Sequence, residues 1–317
     1  MIYSPIFSIL VPAYKACFLS ECIESILGQT YKEFQLVIVN DNSPEDLDSI
    51  VGKYNDPRLL YYKNEKGYGA INVVDNWNQC LAYANGDFVI CMGDDDKLTP
   101  TCLEQYIKII KKYPTLDVYH ARFELIDETS NVHRINYIDQ REEYESTFTL
   151  LMKRYENRLQ YIGDHLFRTS SLRARHGFVK FPCAWFSDEV SVAMMAGEKG
   201  IASTEGIAFQ YRISNKNITN NTNLTKYKLD ASDKAREWYL SFINNNESFS
   251  DTQRRSLRSM MEVRINQTKN SCIAFDMSFH PIAGLIKWHG ICSDGQLFIN
   301  FIHGIRGKVS RYFHRIF

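Results

Sequence analysis

Residues 93–98 read Gly-Asp-Asp-Asp-Lys-Leu and follow directly on the apolar run 88–92. Carboxylates placed side by side repel one another, so Asp94, Asp95 and Asp96 call for a cation or for full exposure to water. An oxygen-only donor set suits a hard divalent ion, Mg2+ or Mn2+, of the kind that bridges a diphosphate. A single aspartate here would read as a helix cap. Three in a row where a buried strand ends favour the cation. Asp41, within Asn40-Asp41-Asn42-Ser43, is either a turn former or an acceptor for a base or ribose hydroxyl. Both groups fall where the chain leaves an apolar run, as do Pro12, Ala13 and Tyr14.

Those positions meet only if the runs are neighbouring strands of one sheet. "FSILVPAY" and "FQLVIVN" are apolar without alternation, as strands buried on both faces are, and "RLLYYKNE" and "GDFVICMG" continue the series. Helical spacing lies between them, at 19–27 with Ser20 as cap, at 72–83, and after Thr99 with Pro100 in the first turn. The alternation predicts an α/β layer with a mostly parallel sheet, whose ligands sit at the carboxyl ends of the strands. Residues 117–138 alternate and predict an antiparallel hairpin or meander turning at 129–131. Helices are expected near 146–158, near 169–176 and from Ser187, a strand at 201–214, a polar loop at 216–225, and helices through the last ninety residues.

Composition narrows the function classes. Lys+Arg and Asp+Glu number 37 each, so net charge gives no reason to expect nucleic acid. From Asp251 onward ten Lys and Arg face four Asp and Glu, which leaves that segment net +6 and the preceding 250 residues net −6. The 8 cysteines form no CxxC pair and read as reduced thiols of a cytoplasmic chain. The opening residues lack the basic region and cleavage site of a signal peptide, and no stretch reaches the roughly 18 apolar residues of a spanning helix.

"FSILVPAYKACFLSECIESILGQTYKEFQLVIVNDNSPED" and "NVVDNWNQCLAYANGDFVICMGDDDKLTP" together resemble the nucleotide-sugar-binding half of inverting family 2 glycosyltransferases with the GT-A fold. The resemblance covers residues 5–125 closely and 160–215 more loosely. It implies a Rossmann-like sheet flanked by helices, and it divides the chain into a nucleotide-sugar-binding half (1–125), an acceptor-binding half (126–225) and a helical C-terminal extension (226–317). It also implies that Pro12, Ala13, Tyr14 and Asp41 hold the nucleoside of a sugar nucleotide, most often uridine. Asp94 would lie near the ribose, while Asp95, supported by Asp96, would bind Mg2+ or Mn2+ on the diphosphate. Asn72, Asn76 and Asn78 fall where the family has polar residues facing the donor, or else are helix surface.

Lys15 stands where the family commonly has Asn, and Ser214 where it has a metal- or diphosphate-holding His; Arg212 is then the expected diphosphate contact. "FPCAWFSDEVSV" resembles the segment carrying the catalytic base, with Asp188 favoured and Glu189 second, and with Phe181, Pro182 and Trp185 on the acceptor side. The expected partners are a nucleotide-sugar donor and a saccharide acceptor, lipid-linked in bacterial surface polysaccharide synthesis. Residues 302–317 space apolar side chains helically among Arg306, Lys308, Arg311 and Arg315 without an acid. That pattern fits peripheral contact with the inner face of the cytoplasmic membrane, or else docking on the protein itself or on a homodimer partner. Two rivals are a GT-A scaffold without catalysis and a sugar-nucleotide nucleotidyltransferase, for which the glycine- and basic-rich loop after the first strand is missing.

Overall fold

The computed structural model describes residues 6–133, 140–214, 221–279 and 281–316, with 308–316 as backbone alone. The four apolar runs become parallel strands β1 (Phe7–Ala13), β2 (Phe34–Asn40), β3 (Leu59–Lys63) and β4 (Phe88–Cys91). Short β5 (Lys97–Leu98), β6 (Val118–Ile126), β7 (Tyr144–Glu145), β8 (His165–Arg168) and β9 (Ile201–Arg212) complete one sheet in the order β3-β2-β1-β4-β8-β6-β9-β5, with β7 also on β9. The β8 strand is antiparallel to both β4 and β6, while β6 and β9 are parallel. The sheet therefore runs unbroken through residues 7–212.

Helices α1 (Leu19–Leu27), α2 (Leu47–Val51), α3 (Val73–Ala82), α4 (Cys102–Lys112), α5 (Thr147–Tyr155), α6 (Thr169–Ala174) and α7 (Ser187–Ala196) cover the sheet. Strand β1 shows why its sequence has no polar period. Phe7, Ile9 and Val11 join the layer under α1 and α4, while Leu10 joins the opposite layer with Trp77 and Val192. Both faces are buried, so both alternating sets are apolar. Helices α8 (Thr225–Asn245), α9 (Asp251–Met277), α10 (Pro281–Trp288) and α11 (Asp294–Ile316) form the expected C-terminal extension. Tyr239, Ile243, Leu257 and Met261 of α8 and α9 share one core with Tyr155 of α5 and Val190 of α7. Among the described residues no helix is long and apolar enough to cross a membrane.

Several local expectations need correction. Ser20 lies inside α1, whose cap is Phe18 without a side-chain hydrogen bond. Thr99 does not cap α4, because β5 first pairs with β9 and the helix begins only at Cys102. The three aspartates are thus separated from that helix and are not its caps. The turn at 127–131 forms and is closed by an Ile126–Val132 bridge, but β6 finds its long partners in β8 and β9. Residues 134–138 of the expected hairpin lie outside the described residues. So does 216–220 of the polar loop, after which Thr222–Leu224 makes a short 3-10 turn.

Gln29, wholly buried, locks α1 to the start of α4. Its amide donates to the Thr99 carbonyl (2.7 Å) and the Ser25 carbonyl (3.0 Å) and accepts from the Leu103 N–H (3.1 Å). Gln29→Ala leaves buried backbone groups unpaired, so a urea titration should show a loss of about 2–4 kcal/mol of unfolding free energy. A loss below about 1 kcal/mol would mean that water replaces the amide.

Candidate active site

Strands β1, β2 and β4 end side by side, and the chain beyond them is stitched together by the acids. Asp41 N–H donates to the Ala13 carbonyl (2.9 Å), tying the end of β2 to β1. The Asp94 carboxylate accepts at one oxygen from the backbone N–H groups of Tyr14 (2.7 Å) and Lys15 (2.6 Å). Asp96 accepts from the Arg212 N–H (2.9 Å) at the end of β9. Asp95 receives the Lys15 ammonium, whose nitrogen also stands 3.4 Å from Asp94 Oδ1. Gly93 makes this crowding sterically feasible: a Cβ there would sit 2.8 Å from Asp95 Oδ1 and 3.0 Å from Asp96 Oδ2.

All three aspartates are buried, at 3%, 7% and 4% exposure. Two like charges 4 Å apart repel by about 4 kcal/mol at an effective dielectric near 20, so compensation is required. Burial pushes the carboxyls of Asp94 and Asp96 up from the carboxylate range, and the charge of Asp95 adds to this. Lys15 and the backbone N–H groups oppose the rise at Asp94. Among the described residues no group of three or more His, Cys, Asp and Glu is arranged to hold a metal ion by itself. Asp95 and Asp96 nonetheless fit a Mg2+ or Mn2+ ion that takes its other oxygens from a diphosphate and water, the usual pattern for Mg2+. The Lys15 ammonium on Asp95 shows that a cation is accommodated there.

The other strand-end positions are mixed. Tyr14 is exposed, at 48%, beside half-buried Pro12 and buried Ala13. Asp41 already holds the loop before α3: its oxygens accept from Tyr68 N–H (2.9 Å), Gly69 N–H (3.1 Å) and the Asn64 amide (3.0 Å). The short "KGYG" stretch thus wraps this acid, and a Cβ at Gly67 would lie 2.4 Å from the Asp41 carbonyl. Asn72, half-buried, stands at the start of α3 without a side-chain capping hydrogen bond. Asn76 does not face a donor, being buried between the Val39 carbonyl (3.2 Å) and Asn64 (3.1 Å). Asn78 brackets the backbone of Phe178 (2.8 and 3.2 Å).

Arg212 departs furthest from expectation. Its guanidinium is wholly buried over the Phe18 ring (4.2 Å), donating to the carbonyls of Asp95 (2.7 Å) and Asp127 (2.9 Å) and to Glu21 (3.0 Å) and Ser130 (3.0 Å). It is a strut behind the aspartates rather than an open contact for phosphate.

The acid pair sits in the first turn of α7, after a backbone run with left-handed residues Cys183 (φ 60°), Ala184 (φ 54°) and Phe186 (φ 67°). Such outliers cost on the order of 1–3 kcal/mol each and need surrounding support. Here Ser187 Oγ accepts from Phe181 N–H (3.0 Å) and Ser191 Oγ from Val179 N–H (2.9 Å). The two acids differ. Glu189 is buried in an ion pair with Arg154, with Arg264 of α9 3.9 Å away. Half-buried Asp188 has no ion pair among the described residues, and burial, then the charge of Glu189, push its carboxyl up to about 7.

Tyr211 feels the charge of both groups of acids. Burial first, then the charges of Asp96, Asp95 and Asp188, raise its hydroxyl. Its ring is stacked 3.5 Å from that of Tyr161. Sequence reading missed both tyrosines and Arg154; alternation along "AFQYR" was the only available signal. Phe181 lies in the core shared with α8, whereas Trp185 keeps a buried indole N–H with no partner among the described residues, under Lys228 (5.1 Å). His165 is wholly buried against Asp164 and the Tyr161 carbonyl (2.9 Å).

An open, mostly parallel sheet with acids at its strand ends and an acid-bearing helix alongside has the GT-A architecture. The chain belongs to glycosyl transferase family 2, whose family model matches residues 8–175. An uncharacterised glycosyltransferase of Rickettsia typhi is 33% identical over 131 residues, 41% of this chain and 40% of that protein. The Escherichia coli UDP-Glc:α-D-GlcNAc-diphosphoundecaprenol β-1,3-glucosyltransferase WfgD is 30% identical over 126 residues, 39% of this chain and 48% of that enzyme. These matches span less than half the length of either relative. Residues 1–349 of S. aureus TarS, solved with UDP-GlcNAc, share the fold at a TM-score of 0.67 and 16% identity, covering 95% of this chain and 89% of that one.

The unequal acids make opposite stability predictions. A carboxyl whose folded pKa is raised, as at Asp188, withdraws stability as pH climbs from about 4 to about 7. Asp188→Asn should therefore gain on the order of 2–4 kcal/mol at pH 8 and nothing near pH 4. Glu189→Gln, which leaves Arg154 buried without its counter-charge, should lose on the order of 3 kcal/mol at pH 8. Denaturant titrations of both variants at the two pH values check this, and equal behaviour of the two would refute the asymmetry.

Proposed function

We propose that the chain transfers a sugar from a UDP-sugar to a saccharide hydroxyl with inversion at the anomeric carbon, Asp188 serving as general base. What carries the reading is one contrast: adjacent acids at one helix start, of which Glu189 is neutralised by Arg154 and Asp188 has no ion pair among the described residues, its carboxyl near 7. A base poised near the working pH is at once sufficiently deprotonated and sufficiently basic.

In the proposed step the acceptor oxygen attacks the anomeric carbon from the face opposite the diphosphate. The bond from that carbon to the phosphate oxygen breaks, UDP departs, and the hydroxyl proton passes to Asp188. A divalent ion held by Asp95 and Asp96 would neutralise charge on the diphosphate. Tyr14, Ala13 and Pro12 would line the nucleoside, with Trp185 on the acceptor side. The printed name of WfgD and the UDP-GlcNAc complex of TarS support uridine as the base of the donor.

For the acceptor we infer a lipid-linked saccharide of bacterial polysaccharide synthesis, met at a membrane surface. The name of WfgD supports this, as do the exposed Ile282 (76%), Ile286 (79%) and Phe298 (62%) on α10 and α11, whose sequence carries the uncompensated arginines and lysine near its end. Flotation with anionic phosphatidylglycerol vesicles should recover the wild type and lose the Ile282→Asp/Ile286→Asp variant. Equal flotation of both would remove these residues from any membrane contact.

The catalytic assignment has its own test. With UDP-sugar and an acceptor panel, kcat/KM should rise with pH through about 7. Asp188→Asn should lose about 10²–10⁴-fold in kcat, with UDP binding by calorimetry unchanged. Turnover within tenfold of wild type would assign the proton to another group.

A further inference from the structure

We propose that Lys15 is the built-in counter-cation of the aspartate triplet, withholding it from a free divalent ion and yielding it to an ion that arrives on a nucleoside diphosphate. Among the described residues, the ion pairs made by Asp94 and Asp95 are both with Lys15. The other nearby cations are committed elsewhere. Arg212 bonds backbone carbonyls, Glu21 and Ser130, and Lys97 reaches Glu21 (3.3 Å) and Ser130 (3.4 Å). Lys15 is also anchored by its own backbone, whose N–H sits 2.6 Å from Asp94 Oδ2, so its stem starts at the rim of the site.

Exposure gives the order of layers. The Lys15 side chain is 23% exposed, while those of Asp94 and Asp95 beneath it are 4% and 10% exposed. A ligand reaching these carboxylates therefore meets the ammonium first. A bare dication would have to share Asp95 with it at contact distance and is repelled. A nucleoside diphosphate carries about three negative charges, so its complex with a dication remains anionic and is attracted. The flexible four-carbon stem lets the ammonium turn from carboxylate to phosphoryl oxygen without disturbing the core. Binding of the ion and the diphosphate is then synergistic because one side chain responds oppositely to each.

The experiment measures Mn2+ binding by electron paramagnetic resonance of the free ion, with wild type and Lys15→Met, first without nucleotide. The variant should bind Mn2+ at least about tenfold more tightly than the wild type. Equal affinity would overturn the proposal, and this arm does not depend on the identity of the donor. The second arm rests on the UDP-sugar reading: with Mn2+ present, Lys15→Met should bind UDP about tenfold more weakly. UDP binding to the wild type that is equally tight with and without Mn2+ would also overturn the proposal, since the ammonium would then never yield the site. Failure of any nucleoside diphosphate to bind either protein would sink the donor reading and leave the first arm standing. Should Lys15→Met not fold unaided, Lys15→Gln serves. In addition, Mn2+ alone should raise the melting temperature of the neutral variant by several degrees and leave that of the wild type unmoved.

Discussion

Burial of three adjacent carboxylates is the constraint around which this molecule is arranged. Nothing in the hydrophobic core compensates it, so backbone from two separate segments and one side-chain ammonium must turn inward to do so. The N–H groups of Tyr14 and Lys15 come from beyond β1, that of Arg212 from the end of β9, and the ammonium from Lys15 itself. Each of those segments is in turn placed by a strand, which is why the site needs the whole sheet and not merely the strand that carries the acids. Gly93 contributes by having no side chain, since the carboxylates occupy the space where one would stand.

The framework was legible wherever a segment is buried on both faces. Strands β1, β2 and β4 carry apolar residues on both faces, broken only by buried Ser8, Gln35 and Asn40, and no alternative element accommodates such runs between turn residues. Helix starts were less legible, because Ser20 and Thr99 are good caps in isolation. What displaced Thr99 was a strand of two residues pairing with a partner more than a hundred residues later. The turn expected within 117–138 forms, but alternation reveals a strand and not all its neighbours, and β6 also pairs with β8 and β9.

Within the site, sequence located the acids and could not apportion their roles. Asp94–Asp96 follow from the rule that ligands gather at strand ends. The burial of Asn76 and of Arg212 has no counterpart in local pattern, for a guanidinium holding carbonyls and one awaiting phosphate are spelled alike. Asp188 and Glu189 are equivalent as letters. They separate only when α5 brings Arg154 onto one of them. Lys15 was visible as a departure from its family, yet its meaning depends on the distance between its nitrogen and Asp95.

Helix α7 has scarcely a free face. Val192 and Met195 belong to the layer against the sheet, while Val190 and Ala193 belong to the core built with α8 and α9. A rod gripped from both sides has no soft direction of movement, so Asp188 is fixed in the frame of the sheet as firmly as the strand ends are. The C-terminal helices are in this sense the outer jaw of a vice rather than an appendage. Variation that altered the acceptor would have to accumulate in the connections around the rod, because a change in the rod itself would loosen two cores at once.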